Sequence, residues 1–170
     1  MTSKAFADAI EAQIPALRRY AYALTRDAEA GDDLVQDTLE RALSRWRLRA
    51  PDDLRAWLFA ILRNRFIDGY RSARRRGRDA PLKQAAGASV PPLGDAMLGT
   101  RDILAALDRL PEEQRSLLLL VGVEDFTYAQ AAEILGLPIG TVMSRLSRAR
   151  DRLRALLDTE RTTPHLRRVK

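Results

Sequence analysis

The stretch GLPIGTVMSRLSRARDRLRALL, Gly136 to Leu157, is half apolar and half arginine-rich, and its spacing suits one kind of backbone. Val142, Leu146, Ala149, Leu153 and Leu156 recur at steps of four, three, four and three, the single stripe of a helix with about 3.6 residues per turn. That stripe must pack. Thr141, Ser144, Arg145, Arg148 and Arg152 fall on the other side, which has to meet something that tolerates dense positive charge. Arg150 and Arg154 lie nearer the packed side and are candidates for pairing with acids of their own domain. The same period runs through most of the chain and no segment sustains strand alternation, so the expected fold is all-α.

The period breaks at GRDAPLKQAAGASVPPLGDAMLGT, Gly77 to Thr100, which carries Pro81, Pro91, Pro92 and four glycines. With hardly any periodic large apolar residues, it cannot bury enough surface to offset its ordering entropy. The expected architecture is therefore two small helical domains, residues 5–76 and 101–158, joined by a flexible linker over 77–100. The 170 residues include 29 Lys or Arg and 23 Asp or Glu, for a net charge of +6. The excess is blocked: residues 63–83 hold 8 basic and 2 acidic side chains, 84–140 hold 3 and 8, and 141–170 hold 9 and 3. One basic block closes each module, a pattern suited to gripping a polyanion at two places.

There is no cysteine, and the one histidine, His165, lies in the polar tail. Thiolate chemistry, histidine zinc sites and Ser-His triads drop out, so no catalytic residue, metal or cofactor is expected. The start, MTSKAFADAIEAQIPAL, mixes Asp8 and Glu11 into an amphipathic pattern unlike a secretory signal. The longest apolar run, Leu117 to Val123, falls far short of the roughly 20 residues that span a bilayer. A cytoplasmic protein without membrane insertion is the expectation.

In the first module, GDDLVQDTLERALSRW puts Leu34, Val35, Thr38, Leu39, Ala42 and Trp46 on one helix side and Asp33, Gln36, Asp37 and Glu40 elsewhere. In the loop RLRAPDDL, Pro51 stops that helix, and Asp52 or Asp53 can cap the next. The next helix packs Leu54, Trp57, Leu58 and Ile61 before turning basic. From Arg63 to Arg76, Phe66 and Tyr70 are interleaved with Arg63, Arg65 and Arg71, as single-stranded nucleic acid requires for stacking and backbone neutralisation. Local packing is the competing role for Phe66. In the second module, FTYAQAAEILGLPIGTV offers Thr127 and Gln130 as a capping box, Gly136 as a turn and Pro138 at the opening of a new helix. Small Ala131 and Ala132 permit a close crossing. The result reads as a helix-turn-helix whose second helix enters a major groove, Arg145 and Arg148 forking onto guanine and Thr141 and Ser144 binding phosphate or a base acceptor.

DDLVQDTLERAL and LRAWLFAILRNRFIDGYRSARRR, followed by LPEEQRSLLLLVGVEDFTYAQAAEILGLPIGTVMSRLSRARDRLR, resemble the two characteristic regions of extracytoplasmic-function (ECF, group IV) sigma factors of the sigma-70 family. The resemblance covers about residues 15–76 and 101–157. It implies a bacterial transcription initiation subunit with three kinds of partner: core RNA polymerase (β′ clamp helices and β subunit), promoter DNA and an anti-sigma factor. It assigns Asp33, Gln36 and Asp37 to the clamp helices. Arg47, Arg49, Asp52 and Asp53 of the loop, with Asn64 and Arg65 behind it, would hold a flipped base of the melted −10 strand. Thr141, Ser144, Arg145 and Arg148 would read the −35 duplex. The arginine-rich loop leaves the selected base unassigned. Two other readings share parts of this pattern, a stand-alone helix-turn-helix regulator acting as a dimer and a sigma-like decoy that sequesters an anti-sigma protein.

Overall fold

The structure is a computed structural model that describes residues 3–46, 52–75 and 98–162. Its regular elements are helices: α1 (Ser3–Glu11), α2 (Ile14–Thr25), α3 (Ala28–Arg45), α4 (Leu54–Arg75), α5 (Leu98–Asp108), α6 (Glu112–Gly122), α7 (Tyr128–Leu135) and α8 (Ile139–Thr162). Arg47, Arg49 and the expected linker up to residue 97 lie outside the described residues. The last part of that expected linker, Leu98 to Thr100, belongs to α5 instead, since no proline lies between Pro92 and Pro111 to bar a helix there.

Local chemistry sets the helix ends. Asp27 accepts a 2.8 Å hydrogen bond from the Ala30 N–H and starts α3, a cap worth about 1 kcal/mol. Gly31 then lets α3 cross α2 closely, because a Cβ there would stand 3.4 Å from the Tyr22 nitrogen and the Thr25 hydroxyl. The expected apolar side of α3 is the buried one: Val35, Thr38 and Ala42 are enclosed, and Trp46 stacks on Phe6 with ring centroids 4.6 Å apart.

Helix α4 packs its expected side and more besides. Leu58 is buried and Leu54, Trp57 and Ile61 are half-buried against the core, as expected, while Ala56, Phe59 and Leu62 are enclosed as well. The buried arc is broad because α4 is covered from two directions. Phe59 packs on Tyr20 of α2 at 5.2 Å and edge-on against Phe126, beyond α6, at 4.9 Å. The two helical modules are both present, yet they are not separate bodies. Leu17, Tyr20, Leu24, Leu58, Phe59 and Leu62 share one core with Leu107, Leu110, Leu119, Leu120, Phe126 and Ile134. Each such side chain contributes about 1.5–3 kcal/mol by leaving water. A smaller cluster of Leu117, Ala131, Ala132, Val142 and Leu146 holds the last helices together.

Candidate nucleic-acid and partner interfaces

The helix-turn-helix forms from its own local bonds. Thr127 Oγ1 accepts from the Gln130 N–H at 3.2 Å, and Gln130 Oε1 accepts from the Thr127 N–H at 3.0 Å, completing the expected capping box. Gly136 ends α7 at φ 63°, the left-handed region that glycine adopts without a Cβ clash. The Pro138 carbonyl then accepts from the Thr141 and Val142 N–H groups at 3.0 and 3.1 Å, launching α8.

With Val142, Leu146 and Ala149 buried, the opposite arc of α8 is fixed by geometry: Gly140, Met143, Ser144, Ser147 and Arg148 are exposed. Of the four residues expected to face a groove, Ser144 and Arg148 lie on this arc, whereas Thr141 and Arg145 are half-buried at its edge. Arg145 donates to Glu113 at 2.6 Å. Met143 and Ser147 share this arc although they are not among the four. The spacing from the apolar seam places them there, since Gly140, Ser144, Ser147 and Asp151 step by four, three and four, and Met143 precedes Ser147 by four. Arg154 pairs with Asp151 of its own helix at 3.5 Å, and Arg150 donates to the Tyr128 hydroxyl at 3.4 Å, but both arginines are exposed rather than close to the packed side.

On the first module Asp33, Gln36 and Asp37 form one exposed patch of α3. Gln36 donates to Glu40 at 3.0 Å, and Asp37 accepts from Arg65 at 2.7 Å. That bond, then the charge of Asp37, raises the Arg65 pKa. The acidic patch and the basic helix therefore touch. Asn64 and Asp52 are exposed, while Asp53 caps α4 by accepting from the Ala56 N–H at 2.9 Å. Phe66 is half-buried against the core, but Tyr70 remains 42% exposed. It lines a cleft of about 670 Å³ whose walls carry Arg41 and Arg45 of α3, Arg63, Arg65 and Arg71 of α4, and Glu112 and Glu113 of α6. Burial pushes the Glu112 carboxyl above its usual range, against the pull of Arg63 and Arg115.

Polar bonds also join the modules. The Glu124 carboxylate is enclosed and accepts from Arg19 Nε and Nη2, both at 2.8 Å, and from Arg55 Nη2 at 3.3 Å. That carboxylate outweighs desolvation and raises the Arg19 pKa. Arg55 also donates to the Glu124 carbonyl at 2.7 Å and lies 4.3 Å over the Phe126 ring. Tyr20 and Ser116 share a hydroxyl hydrogen bond of 2.7 Å, Arg26 pairs with Asp108 at 3.1 Å, and Gln130 donates to Asp53 at 2.8 Å. Among the described residues, no group of three or more His, Cys, Asp or Glu is placed to hold a metal ion, and no helix is long and apolar enough to cross a membrane.

Residues 10–63 match the family model described as the Sigma2 domain of PhyR, and residues 100–153 match Sigma-70, region 4. The ECF RNA polymerase sigma factor EcfG of Rhodopseudomonas palustris is 46% identical over 151 residues, covering 88% of this chain and 83% of that one. Among solved structures, the sigma factor RpoE of Bartonella quintana, in complex with the anti-sigma factor NepR, superposes with a TM-score of 0.80 at 37% identity, covering 92% of this chain and 99% of that one. CnrH, in complex with the cytosolic domain of CnrY, superposes with a TM-score of 0.70 at 29% identity, covering 94% and 91% of the two chains.

Proposed function

We infer what each surface does from one premise: this chain belongs to the ECF family of RNA polymerase sigma factors. Such a protein directs core polymerase to promoters, and the bond-making chemistry of transcription stays with the polymerase in the cytoplasm. The Asp33, Gln36 and Asp37 patch of α3 docks on the polymerase clamp. The basic stretch of α4, with Asn64, Arg65 and the loop residues Arg47, Arg49, Asp52 and Asp53, takes the melted −10 strand. Capturing an extruded base there offsets part of the unstacking cost, a few kcal/mol. The outward arc of α8, with Met143, Ser144, Ser147 and Arg148 on it and Thr141 and Arg145 at its edge, reads the −35 duplex. An anti-sigma protein is the third partner, as NepR is for the Bartonella relative.

The observation that carries this reading is the pairing in one chain of a capped helix-turn-helix, whose second helix exposes Ser144 and Arg148, with a second basic surface, Arg41, Arg45, Arg63, Arg65 and Arg71 of α3 and α4 around one cleft. A single-site operator binder has no use for the second. Two linked sites gain affinity through effective concentration when something holds them at the right separation, and polymerase supplies that spacing. Run-off transcription with core polymerase, with and without this protein, tests the reading directly. Defined start sites that appear only with the protein support it, whereas starts identical to those of core alone overturn it. Tight binding of a palindromic duplex by the protein alone would instead mark a stand-alone regulator.

A further inference from the structure

The first two turns of α8 present two unlike flanks. At 3.6 residues per turn Met143 and Arg148 fall about 140° apart around the helix, with Ser144 and Ser147 between them. The Arg148 flank is cationic and is continued by Arg152. The Met143 flank is apolar: Met143 is 53% exposed, Ile139 one turn before it is 50% exposed, and neither packs into a core cluster. Between the flanks the surface is low. Ser144 turns its hydroxyl back to the Thr141 carbonyl at 3.1 Å, and a Cβ on Gly140 would meet nothing within 4 Å, so no neighbour inside the molecule calls for a glycine there. A face with a shallow middle lets base edges come close to both flanks.

We propose that Met143 is a specificity-determining residue that selects a thymine in the −35 element, its side chain covering the C5 methyl group of that base. The proposal rests on the sigma-factor reading and names part of the sequence that reading leaves open. Major-groove base edges are polar except for one group, the thymine methyl. A thioether donates no hydrogen bond and accepts only weakly, so Met143 has nothing to offer guanine, cytosine or adenine, whereas its exposed apolar surface gains by covering a methyl. Arg148 meanwhile has the fork that suits guanine. Met143 precedes Arg148 by five residues, about 7.5 Å along the helix at 1.5 Å per residue. At about 3.4 Å per base pair the thymine is therefore about two pairs from the guanine.

The test removes the methyl and nothing else. On a promoter found by the run-off assay, each −35 thymine is replaced singly by deoxyuridine, and initiation is measured with holoenzyme below saturation. One replacement is expected to lower wild-type initiation about fourfold, the factor that one buried methyl represents. Met143→Ala, a change at an exposed position that leaves the fold intact, is expected to initiate less well on the thymine promoter and to treat thymine and deoxyuridine alike. Met143→Leu, still apolar, is expected to keep the preference. Wild-type initiation unaffected by every deoxyuridine, or a deoxyuridine penalty that survives in Met143→Ala, overturns the proposal. Should the wild-type chain fail to initiate at all, the sigma-factor reading falls, and the methyl contact is judged without polymerase: random duplexes amplified with either thymidine or deoxyuridine triphosphate are selected on the chain alone. A thymine position enriched in the first pool and lost in the second supports the contact, while equal enrichment in both, or none in either, overturns it.

Discussion

Arg55 and Arg148 carry the same guanidinium to opposite ends. Arg55 is folded into the molecule, bonded to the Glu124 carbonyl at 2.7 Å and lying over the Phe126 ring. Arg148 stands exposed on α8, across the helix from the buried seam. Nothing in either residue alone separates the two roles. What differs is the helix around it: α8 has one buried stripe and therefore a free back, whereas α4 is covered by α2 on one side and by the segment around Phe126 on another. A helix packed once leaves its charges for partners, and a helix packed twice spends them inside.

The sharpest way to break this contrast is Glu124→Ala, which strips the enclosed partner from two guanidiniums. Because Arg19 is half-exposed and can rehydrate, the expected loss is about 3 kcal/mol, the lower end for a buried pair cut on one side; urea unfolding followed by circular dichroism measures it. Arg55→Lys keeps the charge but loses the fork and the ring contact, and about 1–2 kcal/mol is expected in the same assay. Thr127→Ala removes the α7 cap at a cost of about 1 kcal/mol, read as a lowered melting temperature. On the outward side, Arg148→Ala is expected to leave stability within about 0.5 kcal/mol. Its effect falls on initiation, reduced about tenfold or more on a promoter whose −35 guanine it contacts, with polymerase binding intact. Asp37→Arg is the reciprocal case: polymerase binding is lost, measured by native gel shift of the core complex, and stability hardly moves because the Asp37 bond to Arg65 is between partly exposed groups. An Arg148→Ala protein that unfolds early, or a Glu124→Ala protein as stable as wild type, would erase the distinction between the two arginine sets.

Most of the fold was legible because helices announce themselves locally. The stripe of Val142, Leu146 and Ala149, the capping box of Thr127 and Gln130, and Gly136 at φ 63° each need only neighbours within a few residues. The docking of the modules was not legible, for a physical reason. Arg19 and Glu124 are separated by 105 positions and Arg55 and Glu124 by 69, and a single charged residue on an amphipathic helix reads as a solvated face. Phe59 and Leu62 escaped for the same cause, since α4 was read with one covered side instead of two. At the candidate sites, Ser144 and Arg148 lie on the outward arc as expected, while Met143 and Ser147, outside the expected set, share that arc by geometry. The tie between Asp37 and Arg65, two residues assigned to different partners, also required coordinates.

Gln130 holds one further lesson. Its carbonyl oxygen accepts from the Thr127 N–H while its amide nitrogen donates to Asp53, so a single side chain both begins a helix and fastens that helix to the neighbouring module. The first bond lies within α7 and its own cap, so it does not depend on the second: with Asp53 replaced, α7 would keep its opening turn, and the helix-turn-helix would stay wound by local bonds alone.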